Sequence, residues 1–463
     1  MLKLSTVSRS RGPAGLAGLA GVLVGRVEER AKPVVRWGVG HAVPRAVMRQ
    51  AARHGDLQGR LIAAAPGAPI EDLLDLFAQV RAVGPVVKGG FSYMAVSIDT
   101  VKEVLGGNDF SAGIVPGTGI LARLGEWAAA DTFNPVQPPS LLVTEPPDHT
   151  RYRKLVTRVF SVKAVERLRE RTEEIAAELL DDLAAQTARV GGSRVDLVER
   201  YCGLLPVTVI SEILGVPTEL REWTLELGGG AAASLDMGLG WRRFREVEAS
   251  LEEFDTWLAA HLEKLRAEPG DDLLSQLVAV REDGRGLNQQ ELLATAGLVF
   301  AAGFETTVNL LGNGIALLRR HPDQLALLRE RPELWPNAVD EILRIDPPVL
   351  LTGRVATRDT EVGGVPIGRG AVVTTVLAAA NRDPEVFIDP DVFDITRENA
   401  RDHVSFSSGR HYCLGASLAR MEGEVGLRAL FDRFPDLELL PGATRRPTRI
   451  LRGYETLPAS LIR

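Results

Sequence analysis

Apolar residues recur at helical intervals over most of the chain beyond about residue 150. The segment KAVERLRERTEEIAAELLDDLAAQ (163–186) is typical, because its apolar positions fall on one face of a helix. Strand-like runs with glycine turns are confined to three short intervals, at 84–97, 348–380 and 449–462. Within the second interval, GVPIGRGAVVTTVL is predicted to form a hairpin. The pattern predicts a mainly α fold with small peripheral β-sheets.

One apolar segment, residues 288–322, is far longer than the others. Asn288 and Glu291 form the pattern of a capping box at its start, and three basic residues precede Pro322 at its end. A single helix of this length would extend roughly 50 Å at 1.5 Å per residue. Because its middle is apolar all round, we expect it to cross the core.

The middle of this segment reads AGFETT, residues 302–307. One interpretation is structural: a packing glycine, and a threonine that bonds back to the Ala302 carbonyl and bends the helix. The other is functional: Gly303 leaves room for a ligand against the helix, and Glu305 and Thr306 form an acid–alcohol pair that serves it. The segment alone leaves both interpretations open.

The 463-residue chain has an ordinary globular composition, with 45% hydrophobic and 25% charged residues. A net charge of −7 argues against a general polyanion binder, so we expect no nucleic-acid partner. Two cysteines are too few for a disulfide framework and suit a reducing cytoplasm. Since no repeat or long linker divides the chain, residues 46–463 are predicted to form a single domain.

Residues 1–45 form an N-terminal extension in this interpretation. The run AGLAGLAGVLVG (14–25) follows three basic residues and resembles a weak signal peptide. It lacks a clear cleavage site, however, and charged residues follow it directly. We therefore expect a loosely ordered extension or a short amphipathic anchor that gives weak membrane association.

Cys413 lies in FSSGRHYCLG (406–415), and four roles are open to its sulfur. A nucleophile would need a base such as His411 or His403, but no local signature of a cysteine hydrolase accompanies them. A zinc site would need about four ligands, and the other cysteine, Cys202, lies in an apolar segment. The remaining roles are a small buried hydrophobe and the axial ligand of a haem.

The surroundings of Cys413 favour the haem ligand. A helical pattern begins directly after it, and a helix N-terminus stabilises a thiolate. Gly409 and Gly415 remove side chains where a large flat group would lie against the backbone, and Phe406 supplies an aromatic face. A porphyrin fits this description better than a zinc ion does.

A haem also carries two propionates, which need cationic partners if they are buried. In EPPDHTRYRKLV (145–156), His149 and Arg153 are spaced four residues apart on one predicted helix face. His411 beside the cysteine and Arg354 in a predicted strand are two further candidates.

Taken together, these motifs resemble a bacterial soluble cytochrome P450, a haem-thiolate monooxygenase, over roughly residues 50–463. Besides the cysteine loop and AGFETT, the matching segments stand in the order of the family: EPPDHTRYR, EILR (341–344), ANRDP (380–384), FDITR (393–397) and RGYETLP (452–458). Two departures are Ser407-Ser408, where glycine is common, and Glu305, where aspartate is commoner. The implied fold has a long central helix over the haem.

The resemblance implies a role for each matched residue. The Cys413 thiolate would bind the iron of haem b and favour O–O bond cleavage in dioxygen. Thr306 would donate a hydrogen bond to the bound oxygen, and Glu305 would relay protons. Three further sets are implied: Ala302, Gly303, Phe406, Gly409 and Gly415 beside the haem; His149, Arg153, Arg354 and His411 at the propionates; and Glu341, Arg344 and Arg397 as a buried structural cluster.

The resemblance also implies a lipophilic substrate in a pocket lined by Leu298, Ala301, Val349 and Leu350. The glycine-rich segment 227–241 would belong to a mobile lid. With no dinucleotide-binding motif visible, electrons would come from a ferredoxin and an NAD(P)H-ferredoxin reductase. They would dock on a basic patch of Arg151, Lys154, Arg158 and Arg410. A peroxygenase, a haem isomerase and a haem sensor or carrier are the alternatives.

Overall fold

The structure is a computed structural model that describes residues 30–113, 119–130, 132, 134–159, 162–190, 194–270, 272–281 and 284–461. The predicted run at 14–25 lies outside them. The helices are α1 Val43–Arg53, α2 Leu57–Ala64, α3 Leu74–Val83, α4 Ile98–Gly106, α5 Ile120–Trp127, α6 Asp148–Val159, α7 Val162–Val190, α8 Leu204–Ile213, α9 Arg221–Ala233, α10 Trp241–Ala267, α11 Leu273–Ala279, α12 Gln289–Gly303, α13 Glu305–Arg320, α14 Pro322–Glu330, α15 Trp335–Ile345, α16 Leu377–Ala380 and α17 Ala416–Arg433.

Within the described residues, twelve short strands accompany these helices. They are β1 Val86–Lys88, β2 Tyr93–Ala95, β3 Phe110–Ser111, β4 Arg194–Asp196, β5 Thr352–Ala356, β6 Thr360–Val362, β7 Val365–Ile367, β8 Val372–Thr375, β9 Glu438–Leu439, β10 Thr444–Arg445, β11 Tyr454–Thr456 and β12 Pro458–Ser460. The largest sheet has the order β1-β2-β8-β5-β3, in which only the β2–β8 pair is parallel. The predicted mainly α architecture with small sheets is confirmed.

The hairpin predictions had mixed outcomes. The run at 84–97 is the antiparallel β1–β2 hairpin, with Val86 opposite Ala95. The hairpin predicted within GVPIGRGAVVTTVL is wrong. Instead, β7 forms an antiparallel hairpin with the preceding strand β6, through a turn at Gly363-Gly364 in which both glycines have positive φ angles. Strand β8 belongs to the five-stranded sheet.

The long central segment forms two helices, α12 and α13, which are separated at Phe304. The predicted capping box of Asn288 and Glu291 is present. At the break, the Thr306 Oγ1 donates to the Ala302 carbonyl at 2.9 Å, as the structural interpretation of AGFETT expected. Residues 289–320 are apolar enough to span a membrane, and within the described chain they alone pass that test. Most of the apolar stretch within these residues is buried inside the protein, as expected for helices of the core.

Part of the expected N-terminal extension is folded onto the protein. Residues 30–37 are helical, and a π-turn at Gly38–Ala42 connects them to α1. Arg36 forms an ion pair of 2.6 Å with Glu248 of α10, and the Trp37 indole N–H donates to the Leu239 carbonyl at 2.9 Å. The last third of the extension is therefore an ordered helix that packs against α10.

Two glycines in the segment 227–241, the predicted lid, lie at close contacts with neighbouring elements. Its first half belongs to α9, where a Cβ on Gly228 would lie 2.0 Å from the Phe304 ring. A Cβ on Gly230 would lie 2.5 Å from Ser250 of α10. These glycines let helices approach closely, so their presence does not indicate mobility.

Candidate functional site

The loop that carries Cys413 is held by its own backbone. A short 3₁₀ turn spans Gly409–His411, and the Cys413 amide donates to the Phe406 carbonyl at 2.9 Å. Helix α17 begins three residues later, at Ala416. Burial in the protein raises the pKa of the Cys413 thiol, while the Gly415 amide and the Arg153 charge oppose that rise. The free thiol is nonetheless exposed, because it lines a central cavity.

This cavity lies between the cysteine loop and the junction of α12 and α13, with an empty volume of about 890 Å³ that includes space open to solvent. Its wall is mainly apolar. The predicted site residues that line it are Arg153, Leu298, Ala302, Gly303, Thr306, His411, Cys413 and Gly415. The structure thus brings the cysteine loop and the AGFETT segment to one cavity.

Three residues predicted for the substrate pocket do not line this cavity. Ala301 is buried in the main core, Leu350 belongs to a separate apolar cluster beneath the sheet, and Val349 packs against a third cluster. Residues that sequence reasoning missed take their place on the wall: Leu141, Leu142, Ile210, Thr295 and Val299. Those on α12 follow its helical period with Ala302 and were predictable, whereas those on other elements depend on the tertiary fold.

Gly409 and Gly415 of the cysteine loop are explained by different features of the structure. A Cβ on Gly415 would meet no atom within 4 Å, which leaves an open face of backbone beside the cavity. Gly409 has a φ of +67°, and a Cβ there would lie 2.6 Å from Gly106 Cα at the end of α4. Close packing of the loop on α4, rather than room for a cofactor, therefore explains Gly409. Ser407 also adopts a positive φ, 64°, where glycine would be less strained.

Three of the four predicted propionate partners, His149, Arg354 and His411, lie near one carboxylate that was missed. The rings of His149 and His411 lie 4.4 Å apart. Glu145 accepts hydrogen bonds from Arg410 at 2.9 Å and from the Ala112 amide at 2.6 Å, and it contacts His411 at 3.4 Å. Burial opposes ionisation of Glu145, but these donors prevail and lower its pKa to about 2. Glu145 begins the quoted EPPDHTRYR motif, which was the available signal.

Two guanidinium groups, those of Arg410 and Arg354, lie near the single carboxylate of Glu145. Burial lowers the pKa of His149 to about 4 and that of Arg354 to about 10. The His149 Nε2 is buried without a hydrogen-bond partner among the described residues, and the Arg354 Nη1 donates to the carbonyl of Gly353, the residue before it. Arg153, which lines the cavity, is close enough to Cys413 to interact with its charge. This surplus of donors fits an anionic ligand.

The haem implied by the resemblance fits these observations. The cavity offers a sulfur ligand, open backbone at Gly415 and an apolar wall for a porphyrin. The unpartnered nitrogen of His149 and the excess cations suit a pair of propionates. The zinc alternative finds no support, since the described residues contain no group of three or more histidine, cysteine or acidic side chains arranged so that they could hold a metal ion. Nor is a histidine hydrogen-bonded to the Cys413 sulfur in that part of the chain, as a nucleophile would require.

Glu305 and Thr306 point to different sides of α13. Thr306 lines the central cavity, whereas the Glu305 carboxylate faces a second, polar cavity and lies 3.1 Å from Arg446 Nη1. Burial raises the pKa of Glu305, and the Arg446 charge opposes that rise. The expected acid–alcohol pair is therefore adjacent in sequence but divided in space.

The predicted structural cluster is present and buried. The Glu341 carboxylate accepts two hydrogen bonds from Arg344, at 2.7 and 2.8 Å, and one from Arg397 at 3.2 Å. Further nitrogens of both arginines donate to backbone carbonyls between residues 381 and 392. This cluster joins α15 to the chain that leads to the cysteine loop.

The predicted basic docking patch is weaker than expected. Arg151 is paired with Glu291 at 2.6 Å, and Arg410 is paired with Glu145. The side chain of Arg158 lies outside the described residues. The two arginines are thus committed to internal contacts, which their sequence positions did not reveal.

Comparisons with known proteins agree on one family. The family model described as Cytochrome P450 matches residues 234–452. The chain is 50% identical over 436 residues to "Putative cytochrome P450 140" of Mycobacterium tuberculosis (strain ATCC 25618 / H37Rv), covering 93% of this chain and 98% of that protein. It is 44% identical over 323 residues to "6-deoxyerythronolide B hydroxylase" of Saccharopolyspora erythraea, covering 69% and 77%.

A solved structure shows the same architecture. The crystal structure of P450BioI in complex with hexadec-9Z-enoic acid ligated acyl carrier protein superposes with a TM-score of 0.76 at 32% identity, covering 85% of this chain and 98% of that one. Membership of this family is consistent with a cavity that is lined by the cysteine loop. The chain belongs to the cytochrome P450 family and is a P450 monooxygenase.

Proposed function

We propose that the chain uses haem b and dioxygen to hydroxylate or epoxidise a lipophilic small molecule. The observation that carries this proposal is that Cys413 and Thr306 line the same largely apolar cavity. In such a reaction two electrons and two protons reduce dioxygen, one oxygen atom enters the substrate, and the other leaves as water. Bound through Cys413, the haem would supply the iron at which dioxygen is activated.

The residues of the chain would bind, orient and move protons around that group. Cys413 would hold the iron, with its loop fixed by the Phe406 carbonyl. Arg153 and His149 would take the propionates. The Thr306 hydroxyl, which donates its hydrogen to the Ala302 carbonyl, would turn from that carbonyl to donate into the cavity. Glu305 would supply a proton to replace the one that Thr306 donates. Because Glu305 lies on the other side of α13, this proton would have to travel around the helix.

The apolar wall supports a lipophilic substrate. Leu141, Leu298 and Val299 line the cavity together with Thr306 and would exclude water from the space beside it. The names of two relatives point the same way, since one is a hydroxylase of 6-deoxyerythronolide B and the other was solved with a fatty acyl carrier protein.

A ferredoxin and its NAD(P)H-dependent reductase, in the cytoplasm, are the proposed electron donors. We retain the face beside the cysteine loop as the docking region, although Arg151 and Arg410 are already paired there.

The test is to titrate purified holoprotein with a library of lipophilic compounds and follow displacement of the iron-bound water by absorption. Compounds that bind are then incubated either with ferredoxin, reductase and NAD(P)H, or with peroxide alone. The proposal expects oxygenated product from the first mixture under dioxygen. Product from peroxide alone would indicate a peroxygenase. Binding without reductant consumption above background would indicate a sensor or carrier.

A further inference from the structure

Three segments far apart in sequence form one surface at the N-terminal end of the described chain. They are residues 30–53, α5 and the start of α10 (241–248). The Lys32 ammonium lies 5.8 Å from the centre of the Trp127 ring of α5. The rings of Trp37 and Trp241 lie 5.6 Å apart and join the first segment to α10. We call this surface the N-terminal face.

The N-terminal face concentrates exposed apolar side chains. Within the described part of the chain, fifteen large hydrophobic side chains are exposed, and eight belong to this face. Those eight are Val34, Val43, Val47, Ile120, Leu121, Leu124, Trp127 and Trp241. Ile120 is 75% exposed and Val34 is 50% exposed, so at least half of each residue's surface is accessible to solvent. A patch of this kind usually marks an interaction surface.

The same face is strongly basic. Residues 30–54 contain six lysines and arginines and no aspartate or glutamate. Helix α5 has one arginine and one glutamate, and residues 241–248 have three arginines and two glutamates. The three segments therefore carry a net charge of +7, from six, zero and one. Because the whole chain carries −7, the remainder carries −14. The positive charge is concentrated where the apolar side chains are exposed.

Apolar and tryptophan side chains beside arginine and lysine are the composition of surfaces that lie in a membrane interface. The apolar run AGLAGLAGVLVG at 14–25 precedes this basic stretch in the sequence. A second copy of the chain would bring two clusters of +7 together, which argues against self-association through this face. An anionic lipid surface matches both the charge and the apolar side chains.

We propose that the N-terminal face binds the surface of an anionic lipid membrane, with its arginines at the headgroups and its exposed apolar side chains inserted beneath them. The chain would lie on the membrane by this face without spanning it. The central helices α12 and α13, which are buried, take no part. The inference does not depend on the identity of the substrate or of the electron donor.

The experiment is sedimentation of the full-length holoprotein with vesicles of phosphatidylglycerol or of phosphatidylcholine. We expect binding to phosphatidylglycerol vesicles that weakens as salt rises, and little binding to phosphatidylcholine. The double variant Arg49→Gln/Arg53→Gln removes two exposed charges, and a loss of about thirty-fold in vesicle affinity is expected. Val43→Ser/Val47→Ser is expected to weaken binding at every salt concentration.

Matched controls carry the same changes elsewhere on the surface. They are Arg369→Gln/Arg401→Gln for charge and Ile388→Ser/Val392→Ser for exposed apolar area. Circular dichroism and the thermal midpoint establish that each variant is folded. Three results would overturn the proposal: wild-type protein that stays in solution with phosphatidylglycerol, control variants that lose as much affinity as the face variants, or a dimer in solution that the face variants dissociate.

Discussion

The Glu305 carboxylate lies 3.1 Å from the Arg446 guanidinium, on the side of α13 that faces away from Cys413. Thr306, the next residue, lines the cavity that contains the cysteine. A proton held by Glu305 therefore has to pass around the helix, or the side chain has to leave Arg446, before it can reach that cavity. The ion pair is thus a control point for the proposed proton delivery.

Arg446→Gln tests this relationship. Burial raises the pKa of Glu305, and loss of the Arg446 charge removes an interaction that opposes the rise, so the pKa goes higher still. If turnover needs ionised Glu305, the acid limb of the pH profile of kcat moves to higher pH. Arg446→Lys keeps the charge and is expected to restore the wild-type limb. An unchanged limb in Arg446→Gln would mean that ionisation of Glu305 does not limit turnover.

Thr306→Val keeps the shape of the side chain but removes the hydroxyl. The account predicts that product formed per NAD(P)H consumed falls by roughly 10²-fold, as for loss of a positioned proton donor. Consumption of reductant continues, since the haem site itself is intact. Thr306→Ser retains the donor and is expected to keep most of the coupling. Equal coupling in the valine and serine variants would remove the hydroxyl from the mechanism.

Glu341→Ala is expected to destabilise the fold more than any surface ion pair would. It leaves two buried guanidinium groups, those of Arg344 and Arg397, without their carboxylate. Breaking such a pair costs about 3–5 kcal/mol. Glu424→Ala, which breaks the more exposed pair with Arg169, should cost less than about 1 kcal/mol. Denaturant unfolding of both holoproteins compares them, and similar losses would show that the cluster is not structural.

Glu422 on α17 is buried, and its Oε2 has no hydrogen-bond partner within the described ranges. Burial raises its pKa well above the ordinary value of 4.5. The folded state therefore keeps the proton at pH values where the unfolded state has lost it. Relative to Glu422→Gln, the wild-type free energy of unfolding is predicted to fall as pH rises from 4.5 towards the folded-state pKa. Denaturation curves at several pH values test this, and parallel pH dependences would contradict it.

Local signals in the sequence predicted much of the site. The Asn288–Glu291 capping box and the Glu341–Arg344 pair depend on residues three apart on one helix, so the spacing alone defines them. The loop around Cys413 was likewise recognisable from contiguous residues.

What the sequence did not reveal depends on contacts between distant elements. Glycine is required at position 409 by close packing against α4, and at position 228 by close packing against the ring of Phe304. The direction of Glu305 is set by Arg446, which is 141 positions away in the chain. A one-dimensional pattern places such residues on an element but does not say which neighbour each one meets.

The central claim is that the Cys413 sulfur ligates a haem iron, and one spectral measurement tests it most directly. Holoprotein is reduced, treated with carbon monoxide and compared with a Cys413→Ser variant prepared in the same way. The account predicts the red-shifted absorption band of thiolate ligation in the wild type and its loss in the variant. A wild type without that band, or a serine variant that keeps it, would contradict the account.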